Sequence, residues 1–247
     1  MALLERGLGE GNLMSSMSQR DQLVALARTL HREGYNDHAT GHITIRQPNN
    51  TFLVNPFELT WDELRSSDIL EMDNQGNQLS GNYSITPAIT LHIELHKARH
   101  DLHVALHGHP LWATAWASAL RIPPIYDQTS ALAGNNVVIY DAYGGSVDAE
   151  EQARSAVLAM GTSHTALLAH HGVFVAAESV SLAYMWASTI EWRARRAWQV
   201  EALGGTKPID DTVVNSLHDF VVSNISMFPT FEAAIRAELR HDPNMFA

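Results

Sequence analysis

The chain has no cysteine among its 247 residues. Disulfide bonds, thiolate nucleophiles and zinc sites built from cysteine are therefore all excluded. A metal ion in this protein must be bound by imidazole or oxygen ligands.

Positive charge is also scarce. The chain has 16 Lys and Arg against 27 Asp and Glu, a formal net charge of −11 with histidine neutral. Proteins bind nucleic acid through basic residues that neutralise phosphates, so nucleic acid is not an expected partner. The sequence contains no apolar run near the ~18 residues of a membrane span, so no membrane partner is expected either. A cytoplasmic location is the expectation that fits these features.

Three common catalytic signatures are missing from the chain. It contains no G-x-S-x-G nucleophile elbow, no G-x-x-x-x-G-K-S/T phosphate loop and no G-x-G-x-x-G dinucleotide fingerprint. These absences argue against serine hydrolases, P-loop nucleotidases and Rossmann dehydrogenases. What the chain has instead is fourteen histidines, six of them between His92 and His109.

Helical and strand periodicities mix along the chain without a strict strand-helix-strand repeat. This mixture predicts one α/β domain in which helices cover a sheet. We expect a domain over residues 19–205, preceded by a leader at 1–18 that is floppy or packs in an oligomer, and followed by a helical extension of the same domain at 206–247. Helical spacing is found in residues 22–34, 87–99 and 181–203, and strand alternation in residues 40–54 and 69–73.

The segment HVALHGHP predicts a strand with metal-ligating potential. His107 and His109 are two residues apart, so their side chains lie on one face of an extended segment, with Cα atoms roughly 7 Å apart. Neutral imidazole binds Zn, Fe, Co and Mn, and the H-x-H pair is therefore a candidate ligand pair. The alternative is a pair of ordinary hydrogen-bonded histidines.

Two other histidine pairs compete with this one. His92 and His96 are four residues apart on a predicted helix, but HIELH lacks the adjacent Glu of the metalloprotease H-E-x-x-H motif. They are expected to pack against the sheet or to support the strand site. His170 and His171 are expected on opposite faces of one strand, and periodicity leaves open which of them points at a site.

The ordered segments GHITIR, VNPFEL, HIELHKARHDLHVALHGHP and ALLAHHGVFVA resemble the class II aldolase/adducin family over residues 19–203. The resemblance implies a three-layer α/β/α sandwich around a mixed, mostly antiparallel sheet. It also implies a divalent metal (Zn, Mn, Fe or Co) held by His107, His109 and His171. A homotetramer with active sites at the subunit borders is a further implication.

The chain departs from the sugar-phosphate aldolases of that family at the substrate positions. Asn55, Phe57 and Glu58 replace a small-residue phosphate loop, and Thr86 begins a Thr-Pro-Ala trio in which Ala88 replaces the expected acid. A phosphate dianion is bound by N–H groups and cations, so a sugar phosphate is not the expected substrate. Asn55, Phe57 and Thr86 become candidate contacts for a different substrate.

Three neutral imidazoles leave a divalent cation with its full charge and with open positions. The expected function is a metal-dependent C–C lyase, retro-aldol or decarboxylating, acting on an unphosphorylated hydroxy-carbonyl or carboxylate-bearing small molecule, aromatic ones included. Proton transfer then requires another group. The candidates are His42, Asp37, Glu58, Tyr126 and Asp127. Tyr126 and Asp127 lie in the segment IPPIYDQ, where the resemblance implies a tyrosine that family aldolases contribute across the subunit border.

Two alternatives from other classes are open at this stage. The three histidines could hold Fe(II) in a non-haem oxygenase, because a facial ligand set with open positions meets that requirement. A non-catalytic adducin-like interaction module is the other alternative. Adducin-type domains tend to lose the ligand histidines, and this chain has all three.

Overall fold

The computed structural model describes residues 13–37, 41–142 and 149–247. Its centre is one eight-stranded sheet with the spatial order β4-β3-β2-β1-β5-β8-β7-β6. Every neighbouring pair is antiparallel except β6 and β7, which are parallel. The strands are β1 (His42–Arg46), β2 (Phe52–Val54), β3 (Leu70–Met72), β4 (Gln78–Ser80), β5 (Val104–Gly108), β6 (Val137–Tyr140), β7 (Thr165–Leu168) and β8 (Gly172–Ala177).

Helices cover both faces of the sheet. They are α1 (Gln19–Arg32), α2 (Thr90–Ala98), α3 (Leu111–Ser118), α4 (Gln128–Ala131), α5 (Glu150–Met160), α6 (Val180–Ala202), α7 (Asp211–Ser223) and α8 (Thr230–His241). Among the described residues, no helix is long and apolar enough to cross a membrane. The predicted three-layer α/β/α arrangement around a mostly antiparallel sheet is confirmed.

Alternation along β5 shows how the two faces are divided. Val104 and Leu106 point into the core shared with α1, α3 and α6, whereas Ala105 points into the smaller core shared with α2 and α5. By the same alternation His107 lies on the α2 side. The sheet therefore places one predicted ligand beneath the helix that carries His92 and His96.

Residues outside the predicted central segment also join the larger core. Leu13 and Met17, from the predicted leader, are buried there, and Ser18 caps α1. Residues 1–12 of that leader lie outside the described part of the chain. In the predicted helical extension, Val221 and Phe231 are buried in the same core.

Candidate metal centre

Three chain segments meet where the central strands β1 and β8 begin and β5 ends, and this end of the strands is called the sheet edge below. His107 lies near the end of β5, and its Cα pairs with that of His42 at the start of β1. On the other side of β5, Gly108 pairs with Val173 at the start of β8. Antiparallel neighbours thus bring together positions that are more than sixty residues apart in the sequence.

His171 reaches this edge from the turn between β7 and β8. The backbone of His170 has a left-handed φ of 56°, and the N–H of His171 donates to the Leu168 carbonyl at 3.0 Å. The prediction that His170 and His171 lie on opposite faces of one strand is therefore wrong, because both belong to a tight turn. Gly172 follows, where a Cβ would lie 2.5 Å from the Gly108 carbonyl oxygen. Only glycine permits that close approach.

The imidazoles of His107, His109 and His171 converge. One ring nitrogen from each lies within 4.8 Å of the others. The rings contact one another in pairs, with centroid separations between 4.7 and 4.9 Å. Among the described residues, no carboxylate joins this group of potential ligands.

Hydrogen bonding orients two of these rings. The Nδ1 atom of His107 lies 2.9 Å from the Val173 carbonyl oxygen, and Nδ1 of His109 lies 3.4 Å from an Asp37 carboxylate oxygen. Because both partners are acceptors, the ring proton in each case belongs on Nδ1. The two Nε2 atoms then present lone pairs to each other across 3.1 Å.

Burial keeps these histidines neutral. The pKa of His107 lies well below its usual value, because of burial first and then because of the neighbouring His42, His109 and His171. Burial also lowers the pKa of His109, and it lowers that of His171 to about 4 with a further contribution from His109. Neutral imidazole is the form that binds a metal.

The residues present fit a divalent cation. Two lone pairs facing each other repel unless a cation lies between them, and nitrogen ligands at about 2.0–2.1 Å from a zinc ion lie roughly 3–3.5 Å apart. The 3.1 Å separation of the His107 and His109 nitrogens falls in that range. A third neutral imidazole and a carboxylate partner for His109 complete the arrangement typical of metal-binding histidines.

A second group of histidines lies beside this centre under α2. The His42 ring is centred 4.9 Å from that of His107, and its Nδ1 is 2.8 Å from Nε2 of His92. The Thr44 hydroxyl links the rings of α2, lying 2.8 Å from Nδ1 of His92 and 2.9 Å from Nε2 of His96. His92 and His96 thus occupy the supporting position, and His42 stands between them and the metal centre.

This group is also buried and neutral. Burial and the neighbouring histidines hold the pKa of His42 and that of His92 well below the usual value. The pKa of His96 falls to about 3, first through burial and then through the charge of Arg46. Low pKa values favour the neutral form of all three rings at neutral pH.

An open pocket of about 580 Å³ lies against the predicted ligands. No Lys or Arg is among its described lining residues, and the side chain of Asp37 is 45% exposed. Leu111 is 70% exposed and supplies an apolar wall. The pocket is lined by Asn36, Asp37, His109, Leu111, Thr114, His170 and His171.

The predicted rim residues Phe57 and Glu58 lie on an exposed loop. The Glu58 carboxylate accepts hydrogen bonds from the Ser84 N–H at 2.9 and 3.0 Å. Hydrogen bonding from the side chain of Ser84, and then from its backbone, holds the pKa of Glu58 below the usual value. Phe57 is 43% exposed. Neither is among the described residues that line the pocket.

Asn55 and Thr86 have their polar groups directed at the backbone. Asn55 accepts from the Ile43 N–H at 2.7 Å and donates to the carbonyls of Gly41 and Pro56, both at 3.1 Å. It secures the start of β1, where His42 lies.

The Thr86 hydroxyl accepts from the Ala88 N–H at 3.3 Å in a short 3₁₀ turn. These contacts favour a structural role for both residues over direct substrate binding.

Tyr126 and Asp127 are placed apart from the pocket lining of their own chain. Tyr126 packs against the larger core. Asp127 caps α4 through the N–H and the hydroxyl of Ser130, both at 2.9 Å, and pairs with Arg196 at 3.3 Å.

Sequence patterns missed Thr44, Leu111 and Thr114. Alternation along β1 places Thr44 on the same face as His42, which was the available signal. Leu111 and Thr114 are three residues apart on the helix that follows His109, so they share a face, but nothing in the sequence shows that this face borders a pocket.

Comparison with known proteins agrees with this architecture. The family model "Class II Aldolase and Adducin N-terminal domain" matches residues 21–198. A 3,4-dihydroxyphthalate decarboxylase of Arthrobacter keyseri is 32% identical over 81% of this chain and 86% of its own length. A 4-hydroxy-3-prenylphenylpyruvate oxygenase/4-hydroxy-3-prenylbenzoate synthase of Streptomyces roseochromogenus is 24% identical over 91% of this chain and 82% of its own length.

A solved structure shows the same fold. L-fuculose 1-phosphate aldolase from Glaciozyma antarctica superposes with a TM-score of 0.81 at 20% identity, covering 92% of this chain and 91% of that one. The shared sheet, the converging histidines and the family match over most of the chain lead to one conclusion. The chain belongs to the class II aldolase and adducin family.

Proposed function

We propose that this chain is a metal-dependent C–C lyase that acts on an unphosphorylated, carboxylate-bearing or hydroxy-carbonyl small molecule, with aromatic carboxylates as the favoured substrates. The observation that carries the proposal is the pair of Nε2 atoms of His107 and His109 at 3.1 Å, both oriented by acceptors on Nδ1, beside an open pocket. His171 is the third ligand in this proposal.

The pocket chemistry supports an unphosphorylated substrate. Phosphate sites use cationic side chains or clustered N–H groups, whereas the described lining has no Lys or Arg and includes the carboxylate of Asp37. The exposed side chain of Leu111 offers an apolar surface for a ring. The 32% identical relative that decarboxylates 3,4-dihydroxyphthalate supports an aromatic carboxylate as the substrate class.

A bound divalent cation supplies Lewis acidity, which withdraws electrons from the substrate as the C–C bond breaks. In a decarboxylation, CO₂ leaves and the bonding electron pair remains on the substrate carbon, which must then receive a proton. Asp37 lies at the pocket with a half-exposed side chain, and His42 lies beside His107. Asp37 and His42 are therefore the proposed proton-transfer residues, in preference to Glu58.

In this proposal, Tyr126 and Asp127 contribute to the active site of a neighbouring subunit and not to the site of their own chain. Large exposed apolar side chains support an oligomer: Leu111, which lines the pocket, is 70% exposed, and Trp198 is 53% exposed. A mainly apolar cavity of about 210 Å³ is lined by Trp112, the neighbour of Leu111 in the chain, and by Trp198. We propose a homotetramer whose subunits border the pocket, and light scattering coupled to size-exclusion chromatography measures its mass.

The second candidate function is a non-haem Fe(II) oxygenase on the same site. It is favoured by the three-imidazole set, in which no carboxylate takes part among the described residues, and by the 24% identical relative with an oxygenase name. Lyase and oxygenase differ in their consumption of O₂, so the two proposals make opposite predictions under anaerobic conditions.

One experiment separates these functions. The protein is purified without added metal, analysed for Zn, Mn, Fe and Co, and assayed with hydroxylated aromatic carboxylates, including 3,4-dihydroxyphthalate, with and without O₂. L-fuculose 1-phosphate serves as the phosphorylated control. CO₂ release without O₂ supports the lyase, and iron-dependent O₂ uptake supports the oxygenase. A protein that binds no metal and converts none of these compounds contradicts both the lyase and the oxygenase proposals. The adducin-like interaction module is then the remaining hypothesis.

A further inference from the structure

Glu191 is a buried carboxylate on α6 that bonds to the backbone of another helix. It is only 6% exposed. Its oxygens accept from the Trp112 N–H at 3.0 and 3.1 Å and from the Ala113 N–H at 2.8 Å. A buried carboxylate bound to backbone N–H groups is a strong, charge-assisted contact.

These N–H groups belong to the first turn of α3, which begins two residues after His109. The residue at the N-cap position is Pro110, and no side-chain cap hydrogen bond is formed there. Proline has no side-chain oxygen, so α3 lacks the usual means of satisfying its first N–H groups. Glu191 supplies the missing acceptor from a distant part of the chain and places negative charge at the positive end of the helix dipole.

The same part of α6 also holds the segment that carries Asp37. The Tyr35 hydroxyl donates to the Ala187 carbonyl at 3.0 Å, one helical turn before Glu191. The Tyr35 ring packs against Gly108, where a Cβ would lie 2.9 Å from Cδ1. Two residues after Tyr35 comes Asp37, the partner of His109. One turn of α6 therefore secures both segments that flank His109.

We propose that Glu191 is a positioning residue for the metal centre. By fixing the start of α3 it sets the backbone that follows His109 and the orientation of the pocket wall formed by Leu111 and Thr114. Its contact with the centre is indirect, through the backbone of residues 110–113. This inference rests on the proposed metal-dependent function.

The test compares Glu191→Gln with the wild type and with Glu201→Gln. Glutamine has a single oxygen acceptor, and its NH₂ group faces an N–H donor, so one hydrogen bond of the cap is lost. Glu201 is on the same helix, but its partner is the surface residue Arg121 at 2.8 Å. The measurements are the Kd for Co²⁺ by chelator competition and the visible absorption spectrum of the Co²⁺-loaded protein.

We expect Glu191→Gln to weaken Co²⁺ binding by about ten-fold, as outer residues of metal sites do, and to change the Co²⁺ spectrum, with Glu201→Gln unchanged. A folded Glu191→Gln protein with the wild-type Kd and spectrum would show that Glu191 only stabilises the fold, and would overturn the inference. If Glu191→Gln does not fold, Glu191→Asp replaces it, and a wild-type Kd there overturns the inference too. A wild-type protein that binds no Co²⁺ would instead overturn the proposed function itself.

Discussion

Two groups of histidines lie side by side in this molecule and differ in what their ring nitrogens face. Under α2, Nδ1 of His42 bonds to Nε2 of His92, and the Thr44 hydroxyl joins Nδ1 of His92 to Nε2 of His96. At the sheet edge, His107 and His109 are anchored through Nδ1 and turn Nε2 towards each other beside an open pocket. The residue type is the same, and the direction of the anchoring bonds separates a supporting network from a ligand set.

Ligand removal is expected to have the largest effect. Replacing both His107 and His109 by Ala should abolish metal binding, measured by elemental analysis, because only one of the three converging imidazoles then remains. His171→Ala should also lose the metal. His170→Ala is the matched control and should retain it, since His170 lies in the same turn but is exposed. Metal retained by the double variant would remove this site from consideration.

A substitution in the supporting network should lower the stability of the fold but leave the metal content unchanged. Thr44→Val leaves two buried ring nitrogens, on His92 and His96, without the hydroxyl they contact. The free energy of unfolding should fall by about 2–6 kcal/mol, at about 1–3 kcal/mol for each of the two buried groups left unpaired. Urea denaturation measures this loss, with the exposed Thr206→Val as the control. Unchanged stability, or a protein that loses its metal, would contradict the distinction between the two groups.

The network should also make stability depend on pH. The pKa of His96 is about 3 in the folded protein and about 6.5 when exposed, so between these values the unfolded chain binds the extra proton. Stability is therefore fully present above pH 6.5 and decreases as the pH falls towards 3. From pH 7 to pH 5 the contribution of His96 is about 2 kcal/mol.

Urea midpoints at the two pH values test this dependence. His96→Gln preserves a polar group near Thr44 without a titrating ring, so its stability should fall less between pH 7 and pH 5 than that of the wild type. Replacing the exposed His100 by Gln should leave the difference unchanged. An equal loss in wild type and His96→Gln would rule out His96 as the source.

Among the changes in binding and stability compared here, the effect of Asp37→Asn on metal affinity is expected to be the smallest in free energy. An amide oxygen still accepts from Nδ1 of His109 but lacks the charge that strengthens the ligand, so metal affinity should fall by about ten-fold, or about 1.4 kcal/mol. Chelator competition measures the affinity, and Asp62→Asn, on an exposed carboxylate paired with His31, is the control. A loss as complete as that of the ligand variants would mean that Asp37 binds the metal directly.

Much of the fold was predictable because its signals are local. Helical spacing indicated α1, α2 and α6, and alternation indicated β1 with β2. The site was predictable only in part. The H-x-H pair was visible in the sequence, whereas the hydrogen bonds that Asn55 and Thr86, both predicted to contact a substrate, form with nearby backbone groups were not. Such bonds depend on where the chain turns, and residue type alone does not report that.

The sequence by itself determined the ligand chemistry, since a chain without cysteine must use imidazole or oxygen, and strand alternation puts His107 and His109 on one side. Tertiary structure decided the rest. The left-handed turn at His170 brings His171 to the sheet edge, antiparallel pairing sets His42 opposite His107, and Glu191 caps a helix that follows a proline. Each contact joins residues far apart in the chain, so local propensity cannot specify it and only the packing of the whole domain does.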